Sequence, residues 1–357
     1  MMNIVLLDTS YPINTRNQKI IDSFKKYYPD SVINVITWDR RAESVVEVDN
    51  YHIYRRISPY GHQIMKLLNL LGFRRFVIDK LKSLNPNVVI ASHWDTLVLL
   101  PKLRKDQMLI YENLDLPTGS TIIRNIEAFA ESRALRRVNL MIHASRFFEE
   151  LYPKNIHQVV LENKPVFDVG TAGVNNSSKK RIAFLGTIRY YNILCNLVDA
   201  VKGKDKIELL FYGDGPDYNS IFEYTKGIKN IRFYGRYKYS DIVQLYNNAD
   251  VIWAVYPNKD FNVKYAISNK FHESIALEKP CIFADKTRLG KYVVEKGIGL
   301  VVDPYSVGCI SDLFDRIVSN QIDFDEMICN IRKQKELETS WDTDFTKICQ
   351  IINDFIY

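Results

Sequence analysis

The residues of this chain that could do chemistry lie mainly between positions 181 and 282, where several short apolar runs end in glycine. The first run, residues 181–185, is followed by Gly186 and then by Arg189. At the carboxyl edge of a parallel sheet, a glycine turn lets backbone N–H groups approach a phosphate, and a guanidinium can pair with it. Taken alone, the same residues also fit an ordinary strand-to-helix turn.

Two further runs repeat this form. Residues 209–212 lead into Gly213, the first residue of a G-D-G-P sequence, and residues 230–234 lead into Gly235 and Tyr237. Isolated G-x-G sequences are common, and a tight loop that opens a helix accounts for them as well. The order of these pieces is therefore more informative than any one of them.

A helix start follows the glycine-ended runs. Ser268 or Asn269 is a plausible N-cap, and Lys270 lies in the first turn. Such a helix start leaves free backbone donors and the positive end of the helix dipole at the same sheet edge. Glu273 lies one turn further in, where its carboxylate can accept two hydrogen bonds from ribose hydroxyls.

Alternation of short apolar runs with longer amphipathic segments predicts an α/β fold with parallel strands covered by helices. In the first half, strands are predicted at 3–7, 31–37, 87–91, 108–111, 140–143 and 158–161, and helices at 17–27, 63–83, 97–102, 121–137 and 145–151. In the second half, strands are predicted at 181–185, 207–212, 231–234, 251–255, 280–284 and 299–301. The sequence thus predicts two Rossmann-like domains in succession.

Length and composition agree with two folded domains. The chain has 357 residues, of which 46% are hydrophobic and 25% charged, as in ordinary globular proteins. A Gly/Asn/Ser-rich stretch at 169–180 is the predicted linker. We expect domains at 1–168 and 169–338, with residues 339–357 forming a last helix.

Charge is uneven along the chain. Residues 1–165 hold 23 Lys+Arg and 17 Asp+Glu, an excess of +6, so the remainder, with 48 − 23 = 25 basic and 42 − 17 = 25 acidic residues, is neutral. A basic first half suits an anionic partner such as phospholipid headgroups or a phosphorylated substrate, and solvated charge without a partner is the alternative. Nucleic acid is not expected, since no basic run is interleaved with aromatics.

The five cysteines are far apart without C-x-x-C pairing, which argues against disulfides or structural zinc. No D-x-D pair lies in a predicted site, so no metal or other cofactor is expected. With no apolar stretch long enough to span a bilayer and no signal-peptide pattern, we expect a cytoplasmic protein.

In their order, these motifs resemble those of glycosyltransferases with the GT-B fold, in particular the family-four enzymes (glycosyl transferases group 1) that build bacterial capsule, O-antigen and exopolysaccharide. The family's nucleotide-sugar half typically reads G-x-x-R, G-x-G-P, V-x-F-x-G, A-D and N-K-x-x-E, each after its strand or helix. The matching pieces here are 184–189, 212–216, 231–235, 249–250 and 269–273. The resemblance implies that two Rossmann-like domains with parallel sheets face each other across a cleft.

The resemblance also implies roles for residues. Glu273 would hold the ribose, Arg189 and the helix start at 268–270 the diphosphate, and the loop 235–237 the base, with Tyr237 stacked on it. Three positions depart from the family pattern. Tyr265 stands where many members have the first glutamate of E-x7-E, residues 190–193 lack a second basic residue, and residues 9–15 replace a Gly-Gly loop. Lys264 or Lys270 could supply the missing positive charge.

The first half matches the family's acceptor domain at 86–95, 109–117, 140–145 and 162–163, and residues 339–341 match the start of a helix that crosses back onto that domain. Carboxylates and a histidine at its strand ends are candidates for a catalytic base. Asp115 ranks first, because its strand-end position is expected to face the cleft. Behind it stand Glu112, His93 and Glu127, the last at a predicted helix start, although a residue in such a position is more often a cap or loop residue than a base.

The function implied is transfer of a hexose from UDP or GDP to a saccharide acceptor, lipid-linked in bacterial surface polysaccharide synthesis, with a retaining outcome favoured over an inverting one. The helix at 63–83 is both apolar and basic, and it could lie on the inner face of the cell membrane or simply pack on its own sheet. Two alternatives stay open. One is an inactive GT-B partner subunit of a glycosyltransferase complex, and the other is a GT-B sugar-nucleotide epimerase.

Overall fold

The structure, a computed structural model, describes residues 2–42, 48–58, 63–117, 121–165 and 178–356, without the side chains of residues 63–68, 121 and 123. The chain divides into two compact units. Unit 1 comprises Met1–Asn163 and Ser340–Tyr357, and unit 2 comprises Lys164–Thr339. The unit boundary thus lies five residues before the expected one at 168/169, and most of the expected linker, residues 169–177, lies outside the described residues.

Unit 1 is built on a parallel sheet with the strand order β3-β2-β1-β4-β5-β6-β7 in its described part. Its strands are β1 (Asn3–Asp8), β2 (Val32–Asp39), β3 (Tyr51–Arg55), β4 (Val88–Ser92), β5 (Met108–Asn113), β6 (Leu140–His143) and β7 (His157–Val160). Its helices are α1 (Thr15–Tyr27), α2 (Gln63–Leu84), α3 (Trp94–Leu99), α4 (Thr121–Leu135) and, from the end of the chain, α13 (Trp341–Ile356).

The core of unit 1 explains why α13 belongs to it. Apolar side chains recur every three or four residues along this helix, which gives one continuous apolar stripe. Trp341, Phe345 and Ile352 are buried against α1, where Phe345 meets Phe24 edge to face at 5.0 Å between ring centroids. The last helix is therefore an integral part of the first sheet's cover.

Unit 2 repeats the plan with a parallel sheet of order β10-β9-β8-β11-β12-β13. Its strands are β8 (Lys180–Leu185), β9 (Ile207–Tyr212), β10 (Ile231–Gly235), β11 (Val251–Ala254), β12 (Cys281–Ala284) and β13 (Leu300–Val302). Its helices are α5 (Tyr191–Val201), α6 (Tyr218–Tyr224), α7 (Ile242–Asn247), α8 (Phe261–Tyr265), α9 (Asn269–Ala276), α10 (Arg288–Lys296), α11 (Val307–Val318) and α12 (Phe324–Leu337). In both sheets the strand order reverses beside the first strand, which is where ligands bind in open α/β sheets.

One predicted element is wrong, and one strand was not predicted. The expected helix at 145–151 is only a 3₁₀ turn at Glu149–Leu151. Backbone donors just before it bond to side chains instead, since Arg146 N donates to Glu162 and Phe147 N to Ser145 Oγ. Strand β3 was not predicted, because its sequence YHIYR is polar and it pairs with β2 as an edge strand of the described sheet.

No helix in the described ranges is both long enough and apolar enough to cross a bilayer.

Candidate functional site

Three loops at the carboxyl edge of the unit 2 sheet are locked together by backbone hydrogen bonds. Gly186 N donates to Tyr212 O at 2.8 Å, Gly213 N to Gly235 O at 2.7 Å, and Ile188 N to the Asp214 carbonyl at 3.0 Å. The loops after β8, β9 and β10 are therefore held together by hydrogen bonds, and we call these three loops the rim.

The glycines of this rim allow the backbones to approach. Gly213 has φ +138°, and a Cβ there would lie 1.8 Å from the Gly186 carbonyl oxygen. A Cβ at Gly215 would lie 2.4 Å from the carbonyl oxygen of Ile188. The glycines of the G-D-G-P sequence thus let the β9 loop pack closely against the β8 loop.

Lys270 lies at the point where the strand order reverses. A Cβ at Gly186 would come within 3.2 Å of Lys270 Nζ, so the glycine makes room for the amine. Burial alone would lower the pKa of Lys270, but the charges of Tyr256, Glu273 and Tyr237 outweigh it and hold the pKa above its usual range. The side chain is therefore a cation fixed beside the first strand of unit 2.

Glu273 is buried, with 5% of its surface exposed, and lies one turn into α9. Its carboxylate accepts hydrogen bonds from Tyr246 Oη at 2.7 Å and Tyr239 Oη at 3.3 Å. Burial and then the Glu273 charge raise the pKa of Tyr246 well above its usual value, so this hydroxyl stays a donor. The Glu273 carboxylate is thus oriented by tyrosines that the sequence had not singled out.

Tyrosines extend this cluster toward Arg189. The exposed Arg189 guanidinium lies 4.9 Å from the ring centroid of Tyr190, and Tyr190 meets Tyr256 edge to face at 6.4 Å. Tyr237 is half-buried, and burial, opposed by the charge of Lys270, raises its pKa. Arg189, Lys270, Tyr237 and Glu273 therefore belong to one connected region around the end of β8.

The start of α9 completes this region. Ser268 is the N-cap, but its side chain caps no backbone donor and Ser268 Oγ has no hydrogen-bond partner within the described structure. Asn269 is exposed at the first helical position. The first-turn N–H groups, Lys270 and Arg189 offer positive potential suited to a diphosphate, and Glu273 can accept hydrogen bonds from a diol such as ribose.

The corresponding edge of unit 1 is made of polar side chains bonded to one another. Asp8 ends β1 and is fully buried. Its carboxylate accepts from Ser10 Oγ at 2.7 Å and Asn17 Nδ2 at 2.7 Å. Burial raises the pKa of Asp8, against the lowering effects of these hydrogen bonds and of His93. Sequence reasoning missed Asp8, although its place at the end of a buried strand was visible.

Glu112 is the candidate base whose setting departs most from expectation. It is fully buried, pairs with Arg16 Nε at 2.5 Å and accepts from Ser92 Oγ at 2.8 Å. Arg16 Nη1 and Nη2 lack hydrogen-bond partners in the described chain, and the guanidinium lies 5.4 Å from the Trp341 ring centroid. A carboxylate so enclosed supports the sheet edge and is not presented to a substrate.

The other candidates on unit 1 are more accessible. Asp115 is exposed two residues beyond β5, and His93 is half-buried at the end of β4 with φ +73°. Beside His93, Asp95 accepts a hydrogen bond from Thr9 Oγ1 at 3.1 Å. Glu127 lies in the middle of α4 and not at a helix start, because α4 begins at Thr121.

A second buried network lies at the ends of β5 and β6. Glu131 accepts from Tyr111 Oη at 2.6 Å and from Tyr152 Oη at 3.0 Å, and burial raises its pKa. Asn113 Nδ2 lies 3.2 Å from His143 Nδ1, while Gln158 Oε1 lies 2.8 Å from His143 Nε2. Burial lowers the pKa of His143 to about 4, so the ring is neutral.

No group of three or more His, Cys, Asp or Glu side chains that could hold a metal ion occurs among the residues that the structure covers.

Comparison with known proteins bears on unit 2 and on the fold. Residues 172–334 match the family model described as "Glycosyl transferases group 1". No curated protein sequence matches the chain.

Solved structures match over nearly the whole chain at low identity. Sucrose-phosphate synthase from Thermosynechococcus elongatus is 13% identical, covers 99% of both chains and has a TM-score of 0.76. HepE from Anabaena in complex with UDP is 13% identical, covers 99% of this chain and 100% of that one, and has a TM-score of 0.70. A glycosyltransferase from Rickettsia africae ESF-5 is 14% identical, with coverage of 99% and 98% and a TM-score of 0.69.

These matches confirm the resemblance and the fold class predicted from the sequence. The chain has the GT-B fold, with two Rossmann-like units built on parallel sheets, and its second unit matches group 1 glycosyltransferases.

Proposed function

We propose that this chain, whose residues 172–334 match the glycosyl transferases group 1 family, transfers a hexose from a nucleoside diphosphate sugar to a saccharide acceptor. The donor is UDP or GDP linked, with UDP the first to test because the structurally similar HepE was solved with UDP. The acceptor is a lipid-linked saccharide of bacterial surface polysaccharide synthesis, met at the inner face of the cell membrane. The transfer retains anomeric configuration and requires no metal.

The observation that carries this proposal is that Lys270 and Glu273 lie one turn apart at the start of α9. Lys270 Nζ approaches the glycine at the end of β8, and Glu273 is oriented by two tyrosine hydroxyls. A cation and an acceptor carboxylate one turn apart suit the diphosphate and the ribose of one nucleotide. Arg189 adds a second cation for charge that develops on the leaving diphosphate.

Unit 1 supplies the acceptor side in this proposal. Asp115, exposed beyond β5, is the favoured catalytic base, and His93 beside Asp8 is the second candidate. Glu112 acts through Arg16 and Ser92, with which it is bonded.

Nucleotide binding is the first test. Because a ligand that binds only the folded state raises its stability, UDP or GDP should raise Tm at concentrations well above Kd, while CMP and dTDP serve as comparisons. Absence of any shift with all four nucleotides would contradict a donor site in unit 2.

The second test separates the two units. Arg189→Ala should lower turnover about a hundredfold or more, the effect of losing one electrostatic stabiliser, with some loss of nucleotide affinity. Asp115→Asn should lower turnover and leave nucleotide affinity unchanged, because Asp115 belongs to the other unit. Full activity in either variant, or weakened nucleotide binding in Asp115→Asn, would overturn these roles.

One observation favours a second candidate, an inactive partner subunit. Tyr265 occupies the position of the first family glutamate, and its ring lies 5.9 Å from the Arg288 guanidinium carbon. A tyrosine hydroxyl is a single neutral group, whereas a carboxylate offers two charged acceptor oxygens, and the guanidinium beside it accepts no hydrogen bonds at all. Nucleotide binding without turnover of any sugar nucleotide would support this alternative.

A further inference from the structure

The hydrogen bonds of Glu273 occupy only part of its carboxylate. Tyr239 Oη donates to Oε1 at 3.3 Å, and Tyr246 Oη donates to Oε2 at 2.7 Å. Each oxygen of a carboxylate can accept about two hydrogen bonds. Within the described structure, one acceptor position is therefore left on each of the two Glu273 oxygens.

A second glutamate with two tyrosine partners shows that this distribution is not the only one the chain uses. Glu131 is as buried as Glu273, with 5% of its surface exposed. The hydroxyls of Tyr111 and Tyr152 both donate to the same oxygen, Glu131 Oε1, at 2.6 and 3.0 Å. The tyrosines at Glu273 instead hold one oxygen each, which fixes the carboxylate and leaves both oxygens able to accept one more bond.

The open positions on Glu273 define the ligand that fits them. A buried, charged acceptor that stays unpaired costs free energy, so the site favours a ligand with two neighbouring O–H donors. The 2′- and 3′-hydroxyls of ribose are such a pair. A 2′-deoxyribose has only one of them and would leave one Glu273 oxygen without its second partner.

The two tyrosines come from a different segment than the carboxylate that they hold. Tyr246 is fully buried on α7, and Tyr239 begins the 3₁₀ turn Tyr239–Asp241 just before that helix and is 55% exposed. Both hydroxyls reach across to α9, where Glu273 lies. The orientation of the Glu273 carboxylate therefore depends on the segment that follows β10.

We propose that Tyr239 and Tyr246 are positioning residues that set Glu273 to bind both hydroxyls of a ribose. The chain then selects ribonucleoside diphosphate donors and rejects deoxyribonucleotide donors such as dTDP-sugars, because a site built for a hydroxyl discriminates against the analogue that lacks it. This inference deepens the proposed function and rests on its donor site at α9. It depends neither on the sugar and acceptor nor on turnover.

The test begins with the parent chain and titration calorimetry. UDP, 2′-deoxy-UDP and 3′-deoxy-UDP are compared, and so are GDP and its two deoxy forms. Each deoxy form of the nucleotide that binds should bind about tenfold to a hundredfold more weakly than the ribonucleotide, which is the range for losing a hydrogen bond to a charged group.

Two variants then test the tyrosines, each by removing one hydroxyl. If a tyrosine acts through Glu273 on the ribose, the change in the protein and the change in the nucleotide are not additive. The ratio of the deoxy and ribo Kd values should fall to about threefold or less in Tyr246→Phe. It should fall less in Tyr239→Phe, whose contact is longer and more exposed. Tyr239→Phe changes an exposed side chain, so it tests the proposal even if Tyr246→Phe does not fold.

Tyr111→Phe is the matched control, because it removes an equally buried hydroxyl from an equally buried glutamate. It should lower the free energy of unfolding, as Tyr246→Phe does. The ratio of Kd values should stay within about twofold of the parent ratio, because Glu131 makes no contact with the Glu273 cluster.

Equal binding of the ribo and deoxy forms by the parent chain would overturn the proposal, and so would a parental ratio in every tyrosine variant of Glu273 that folds. Either result leaves the donor site itself in place. Absence of binding by all six nucleotides refutes the donor site and this proposal with it. Selective binding of the ribonucleotide without turnover of any sugar nucleotide supports the proposal and refutes only the transfer reaction.

Discussion

The carboxyl edges of the two sheets follow one topological plan and use different chemistry. In unit 2 the three hydrogen-bonded loops at this edge have glycines with positive φ where they meet, such as Gly186 at +115° and Gly213 at +138°, and Tyr190 at +71° follows in the first of these loops. In unit 1 the edge holds interlinked Asp8, Ser92 and Glu112, and the positive φ of +73° after β4 belongs to His93.

The two units thus build the carboxyl edge of a parallel sheet in two different ways. Unit 2 brings the backbones of its loops together at glycines, although Arg236 there pairs with Asp214 at 2.8 Å. Unit 1 uses its charges on one another, so many of its polar groups serve the fold. A charged residue at a strand end is therefore a stronger functional candidate in unit 2 than in unit 1.

The largest expected effect tests whether Glu112 supports the fold. Glu112→Gln keeps the shape and leaves the buried Arg16 without its counter-ion, so the free energy of unfolding should fall by about 3 to 5 kcal/mol. This loss of unfolding free energy is measured by urea unfolding. The control is Asp106→Asn, in an exposed ion pair with Arg104, where the loss should be below about 1 kcal/mol. A variant of parental stability that has lost turnover would instead make Glu112 catalytic.

The next largest expected effect tests whether the close contact between the backbones at Gly213 and Gly186 stabilises unit 2. Gly213→Ala places a methyl group 1.8 Å from the Gly186 carbonyl oxygen in a left-handed conformation. The rim must open, so we expect a loss of about 3 kcal/mol of unfolding free energy and weakened nucleotide binding. Gly203 has φ +78° with nothing within 4 Å of a Cβ, so Gly203→Ala isolates the conformational cost alone, about 1 kcal/mol. Equal losses in both variants would mean that contact with Gly186 is unimportant.

This comparison also explains what the sequence could and could not predict. Nearly all strands were predicted, because parallel strands buried on both faces give continuous apolar runs. The glycines of the unit 2 loops were predicted as a set, because places where two backbones come close require glycine, and this residue type is visible in the sequence. Tyr246 and Tyr239 were missed, because they lie on a different segment from Glu273 and meet it only through tertiary packing.

In unit 1 the sequence predicted the right edge and could not rank the residues on it. Glu112 and Asp115 are three positions apart, yet one is fully buried in an ion pair and the other is exposed. Only the partner Arg16, 96 positions away in sequence, decides between them. Long-range pairing of this kind leaves no local pattern.

A smaller expected effect is the pH dependence of the unfolding free energy, which tests the second buried network of unit 1. The pKa of His143 is lowered from 6.5 to about 4 in the folded chain, so in that window the unfolded chain binds more protons. The stability due to neutral His143 is therefore complete above pH 6.5 and is lost as the pH falls, by about 2 kcal/mol between pH 6.5 and about 5. His143→Gln should flatten this dependence in urea titrations at several pH values. His157 is exposed, so His157→Gln should leave the dependence unchanged; an unchanged slope in His143→Gln would refute the assignment.

The smallest effect on stability has the opposite sign and concerns the strained backbone of His93 in unit 1. His93 has φ +73° and ψ 157°, a conformation that glycine adopts readily and that costs other residues about 1 to 3 kcal/mol. His93→Gly should relieve this strain and, after the entropy cost of glycine, raise the free energy of unfolding by about 1 kcal/mol. If the imidazole takes part in proton transfer, turnover should fall about a hundredfold or more in the same variant.

Asn85 provides the matched control for this last experiment, because it has φ +46°, a left-handed conformation that asparagine tolerates. Asn85→Gly should therefore change stability by less than about 0.5 kcal/mol and leave turnover unchanged. A stabilised but slow His93→Gly enzyme would mean that the histidine is kept in this strained conformation because its side chain is needed there. A destabilised His93→Gly variant with full turnover would mean that the imidazole serves packing, and Asp115 would then stand alone as the candidate base.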